Sequence, residues 1–128
     1  MIKHMLLMAC IVFSNTAIAE DNGLSKTLQP CLDSSQGITS NMLNCIGTET
    51  QQQDKRLNKA YKAVIAQLSP IRKKQLQDAQ RAWLKYRDLN CTFYADPDGG
   101  TMASVMASDC VMTSTASRAK ELEGFKNH

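Results

Sequence analysis

The chain has 128 residues with 15 Lys and Arg against 12 Asp and Glu, a formal net charge of +3, which is enough for one modest hydrophobic core. Its charges read as interspersed, only 5% of residues are aromatic, and the one short basic run, Arg72-Lys73-Lys74, reads as a solvated helix face, so nucleic-acid binding has little support. The two histidines are His4 and His128, near the chain ends, so the body between them offers no imidazole as general base or zinc ligand and most hydrolase mechanisms are excluded.

The first residues read as an export leader. Lys3 supplies the positive charge, Met5 to Phe13 the apolar stretch, and Ala17-Ile18-Ala19 a small-x-small cleavage site, so residues 1–19 are expected to be removed and residues 20–128 to form one periplasmic domain starting at Glu20. Ser14, Asn15 and Thr16 interrupt the apolar run well short of the roughly 20 residues that a spanning helix needs. Leu7-Met8-Ala9-Cys10 loosely matches a lipidation box, but cutting before Cys10 leaves almost no apolar core ahead of it.

Beyond the leader a polar segment, Glu20 to Gly37, precedes a long helix from about Ser40 to Gln67, with Thr39 as its expected N-cap and Leu57, Tyr61, Val64, Ile65 and Leu68 at helical spacing. Ser69-Pro70 supplies a cap and a first-position proline, which ends one helix and starts an antiparallel neighbour within a few residues. That second helix runs to about Cys91, with Leu76, Ala79, Trp83, Tyr86 and Asn90 on one stripe. Ala95-Asp96-Pro97-Asp98-Gly99-Gly100 is a turn cluster. A third helix starts between Thr101 and Ser104 and carries Val111, Thr115, Arg118 and Leu122. No segment alternates with period two, so the expected fold is all-α, an antiparallel, up-down-up three-helix bundle.

In that order Cys45, Cys91 and Cys110 fall at one pole, and Cys31 joins them if the leading segment folds back at Gly37. Fourteen steps along a straight helix would hold Cys31 about 21 Å from Cys45, far beyond disulfide reach. The favoured pairs are Cys31–Cys45 and Cys91–Cys110, although one shared pole leaves the other pairings open. Each favoured pair closes a loop worth about 3 kcal/mol in the chain-entropy model. No pair has the CxxC spacing of redox catalysts or zinc sites, and Asp96 with Asp98 lacks the remaining ligands of a calcium loop, so no metal and no cofactor is expected.

Ala79-Gln80-Arg81-Ala82-Trp83-Leu84-Lys85-Tyr86-Arg87-Asp88-Leu89-Asn90-Cys91, with Cys45, Asp54, Leu57-Asn58 and Tyr61 before it and Gly99-Gly100, Cys110, Thr115, Arg118 and Leu122 after it, resembles the LprI-type lysozyme-inhibitor family. The resemblance implies a non-enzymatic periplasmic protein whose partner is a lysozyme or other peptidoglycan-cleaving enzyme, from a host or a rival. An envelope chaperone without an enzyme target is the alternative.

Within the signature, Trp83 and Tyr86 are expected in the core, and Asp54 is expected to meet Arg87 across antiparallel helices, with Arg118 sharing the carboxylate. Partner binding is expected at the loop between Cys91 and Cys110, where Asp96 and Asp98 would face a cationic surface and Gly99 and Gly100 would set the turn.

Overall fold

The computed structural model describes residues 23–125, and the leader with its expected cleavage site lies outside them. Four helices follow one another: α1 (Leu28–Ser34), α2 (Thr39–Ile65), α3 (Pro70–Phe93) and α4 (Gly100–Gly124). No strand occurs among the described residues. The fold is therefore all-α as expected, but it has four helices rather than three.

The additional helix, α1, sits in the segment expected to be an irregular lead-in. Its seven residues have no side-chain cap, and an isolated helix that short is unstable in water. Tertiary contacts hold it. Leu24, Leu28 and Leu32 pack on the buried cluster of Ile46, Val105 and Met112, and the Cys31–Cys45 disulfide, with Cα atoms 5.8 Å apart, fixes α1 to α2. The chain reverses through positive φ at Gln36 (53°) and Gly37 (74°), which is the fold-back at Gly37 that the cysteine spacing demands.

The residue at the α2 N-cap is Ile38, not Thr39, and its side chain makes no cap hydrogen bond. Ser69 caps α3 as expected, accepting from the Arg72 amide at 3.5 Å, with Pro70 in the first turn.

The central pair is α2 with α4. They run parallel: Ile46 shares a buried cluster with Val105 and Met112, and further along Leu57 and Ala60 share one with Ala119 and Leu122. Ala60, Ala116 and Ala119 are all but fully buried, and such small side chains let two helix backbones approach closely. Arg56 crosses the pair to Glu123, with Nε and Nη2 donating to its two carboxylate oxygens at 2.7 and 2.6 Å. Between them, α3 returns antiparallel and leans mainly on α4, through Arg118 Nε to Gln80 Oε1 at 3.0 Å, Arg87 Nη1 to Thr115 Oγ1 at 3.3 Å, and the Cys91–Cys110 disulfide.

Because α3 is peripheral, the two aromatic assignments change. Tyr86 is 63% exposed and is not a core residue. Trp83 is half-buried at the edge of the Leu57 cluster, with the Arg87 and Arg118 guanidinium carbons 5.2 and 5.9 Å from its ring centroid, a range where cations are attracted to the ring face. The expected Asp54–Arg87 pair does not form. Asp54 is exposed and accepts from Asn58 at 3.1 Å, since the buried face of α2 runs through Gln53, Leu57, Ala60 and Val64. Arg87 instead pairs with its neighbour Asp88, and Arg118 pairs with Glu121 at 2.6 Å.

The buried carboxylate of α2 is Glu49. Its oxygens accept from the Ser25 amide at 2.8 Å, from the Ser25 hydroxyl and from Gln53 Nε2 at 2.7 Å, and Gln53 also donates to the Gly23 carbonyl at 2.9 Å. Burial raises the carboxyl pKa, but the hydrogen bonds from Ser25 and Gln53 together outweigh it and hold Glu49 below the ordinary carboxylate value.

Two outcomes follow for stability. Leu122→Ala should cost about 2–5 kcal/mol, and Trp83→Ala less than the roughly 3–5 kcal/mol of a fully buried tryptophan; urea titration of the two variants would rank them. A carboxylate whose folded pKa is depressed contributes stability that is complete above its unfolded pKa and disappears as pH falls through the folded one. Glu49→Gln should therefore be less stable than wild type at neutral pH. The gap should close in acid below the depressed value, as read from denaturation at both pH values.

Candidate recognition face

The C-terminal end of α3, the loop after it and the first turns of α4 form a cap closed by the Cys91–Cys110 disulfide, whose Cα atoms are 5.4 Å apart. Within the loop Asp96 builds the turn, with Oδ1 accepting from the Asp98 amide at 2.9 Å and its carbonyl from the Gly99 amide at 3.0 Å. The glycines serve different ends. Gly100 has φ +65° with open space around it, whereas Gly99 has φ −81° but would bring a Cβ to 2.9 Å from the Ala103 Cβ and 3.2 Å from the Asp96 carbonyl oxygen. Both glycines thus set the turn, Gly100 through its positive φ and Gly99 through the close approach it permits.

Around this loop the surface is apolar. Phe93 is 83% exposed, Leu89 64%, and Met102 and Met106 each 51%. Tyr86, Leu89 and Phe93 follow at i, i+3 and i+7, a stripe on the outward side of α3. The Phe93 ring meets Tyr94 edge-on with centroids 6.2 Å apart, and both line an open cleft of about 660 Å³ with Asp96, Pro97, Ala103 and Met106. Sequence reading missed these side chains by treating α3 as having a single apolar stripe.

The charge pattern is the second feature missed. Residues 88–117 hold four aspartates (Asp88, Asp96, Asp98 and Asp109) and no Lys or Arg, and residues 27–54 likewise carry Asp33, Glu49 and Asp54 without a cation. Helix order brings much of these two runs to one pole: α1, the start of α2, the end of α3 and the start of α4. Asp109 has its carboxyl pKa raised by burial. Charges that look interspersed over the chain are therefore segregated in space.

Both histidines lie outside the described residues, and among those residues no group of His, Cys, Asp or Glu is arranged to hold a metal ion. No described helix is long and apolar enough to cross a membrane. The arrangement is suited to recognition: exposed aromatic, leucine and methionine side chains, a carboxylate rim, and a loop fixed at its base.

The protein is thus a small helical domain with two disulfides and one exposed face that is both apolar and acidic. Residues 31–122 match the family described as Lysozyme inhibitor LprI, and the chain belongs to that family. A similar protein of Rhizobium meliloti (strain 1021), itself uncharacterised, is 30% identical over 110 residues, covering 74% of this chain and 79% of that protein. No solved structure matches.

The loop geometry separates the two glycines experimentally. Gly100→Ala should destabilise by about 1–2 kcal/mol from the left-handed backbone, and Gly100→Asn by less, because asparagine tolerates that region. At Gly99 the obstacle is space, so Ala and Asn should both be harmful there. Thermal unfolding of the four oxidised variants would show whether asparagine rescues position 100 alone.

Proposed function

We propose that the protein is an exported inhibitor, beginning at Glu20 after leader removal, that binds a lysozyme or another peptidoglycan-cleaving enzyme through the acidic and apolar cap. The proposal rests on one conjunction: in a chain of the lysozyme-inhibitor family, the disulfide-closed loop places Asp96 and Asp98 beside exposed Phe93, Tyr94, Met102 and Met106, with no Lys or Arg from residue 88 to 117. Aromatic side chains make effective interface anchors, and a rim of one charge sign accelerates encounter with a partner of the other sign. Once Lys3 leaves with the leader the chain has 14 Lys and Arg against 12 Asp and Glu, and this small positive net charge would repel a basic enzyme on average. Segregation of the carboxylates supplies a local field of the opposite sign, and the local field decides orientation at contact. Asp96 and Asp98 act on association, Phe93 on the lifetime of the complex, and Gly99 and Gly100 on loop shape.

Inhibition of a panel of muramidases by the oxidised protein identifies the target, and sensor kinetics then test the face. Asp96→Asn with Asp98→Asn should leave the fold intact, slow association at low ionic strength and flatten its salt dependence. Phe93→Ala should raise the dissociation rate at least fivefold, corresponding to about 1 kcal/mol or more, without loss of stability, since the ring is exposed. Wild-type kinetics in both variants would move the interface elsewhere.

A further inference from the structure

The opposite end of the molecule is as strongly cationic as the cap is acidic. Residues 55–87, the second half of α2, the turn and most of α3, hold ten Lys or Arg and a single carboxylate, Asp78. Around the α2–α3 turn stand Lys59 and Lys62 at the end of α2 and Arg72, Lys73 and Lys74 at the start of α3.

Among the described residues, the carboxylates that reach this end are already engaged: Asp78 by Lys74 and Arg81, Glu121 by Arg118, and Glu123 by Arg56. Lys59, Lys62, Arg72 and Lys73 form no ion pair among the described residues. A merely solvated helix face carries the two signs in similar number, whereas here cations outnumber carboxylates ten to one over residues 55–87.

At the turn itself Ile71 is 75% exposed directly after Pro70. Beside the turn, Leu68, Leu76, Val64 and Phe125 line an open cleft of about 430 Å³, with Arg72 at its wall. We propose that the α2–α3 turn docks on an anionic phospholipid surface, with Ile71 entering the interface and Lys59, Lys62, Arg72 and Lys73 facing the headgroups. A bare polyanion would use the cations and have no use for an exposed isoleucine among them. A bilayer surface uses both, since basic residues and shallow apolar insertion add in peripheral binding. The 24 residues of α3 separate this turn from the acidic cap by about 36 Å, so the docked molecule holds its recognition face away from the lipid. The lipid site stands independently of the identity of the enzyme partner.

Vesicle co-sedimentation tests the assignment, using phosphatidylcholine alone and phosphatidylcholine mixed with phosphatidylglycerol. Wild type and variants are compared in the same exported form, beginning at Glu20, so the apolar leader makes no contribution and the proteins differ only at the turn. Wild type should sediment with the anionic vesicles and be released by salt. Each cation near such a surface is worth about fivefold in affinity, so Lys62→Gln, Arg72→Gln and Lys73→Gln combined should weaken binding about a hundredfold. Ile71→Ser should weaken vesicle binding severalfold and leave binding to soluble polyphosphate unchanged. Equal sedimentation with both vesicle types, or a triple variant that binds like wild type, overturns the proposal. So does an Ile71→Ser variant that binds vesicles like wild type, because the turn would then be a general polyanion site. Enzyme binding by the triple variant, measured at physiological salt where the Debye length of about 8 Å screens the distant turn, reports on the other pole and should not change, so failure of either reading is recognised separately.

Discussion

The close parallel packing of α2 on α4 is the constraint from which the remaining architecture follows. Two helices that run parallel cannot be joined by a short turn, so the chain must cross back between them, and α3 is that crossing. With Ala60, Ala116 and Ala119 buried at the seam, the α2–α4 pair leaves α3 an outer groove along α4 rather than a full share of the core. Only Gln80 and Cys91 of α3 are buried. A helix held so lightly by apolar burial needs other attachments, and it has them at successive levels: Arg118 to Gln80, Arg87 to Thr115, and the Cys91–Cys110 disulfide. The same peripheral position frees Tyr86, Leu89 and Phe93 to face outward.

Hydrogen-bonded polar groups fix the register of this packing. A long helix pair lined with alanine could slide by a turn at small cost in apolar contact, but sliding would break the paired charge-assisted hydrogen bonds between the partly exposed Arg56 and Glu123. Arg56 on α2 finds both oxygens of Glu123 on α4 in one register only. Glu49 and Gln53 do the same for the segment before α1, whose Ser25 and Gly23 backbone groups they engage. The central pair and the N-terminal segment are therefore specified by hydrogen-bonded charge and amide groups on one side of α2, while its apolar positions supply the bulk of the burial.

Much of the fold was legible in the sequence because its signals are local. Ser69-Pro70 marked a helix junction, the Asp-Pro-Asp-Gly-Gly run marked a loop, and both favoured cysteine pairs are those the fold forms. The misses are tertiary. Nothing local announces α1, whose seven residues depend on a disulfide and on Leu28 and Leu32 reaching a cluster built by α2 and α4. The Asp54–Arg87 expectation assumed that α2 and α3, adjacent in sequence, would be the packed pair; once α4 takes that place, Arg56 and Glu123 become the interhelical ion pair. Of the candidate site, the loop residues were readable from turn chemistry. Phe93 and the two methionines were not, since an apolar residue at helical spacing reads as core until the fold shows which stripe is covered.

The division of charge is visible only when sequence runs are laid onto this topology. A bundle in which α2 and α4 point the same way and α3 points back gathers the first half of α2 with the last part of α3 and the start of α4. Two cation-free runs, far apart in sequence, therefore meet. The cation-rich run from 55 to 87 spans the α2–α3 turn and is collected at the other end by the same geometry. Stability does not require this arrangement, for like charges gathered at one end repel and the folded state bears that cost. Neither disulfide relieves it, since both join elements at the acidic pole. A small protein that holds opposite charges at its two ends presents two different surfaces to its surroundings, and the apolar side chains exposed at each end, Phe93 and the methionines at one and Ile71 at the other, give each surface something to bury.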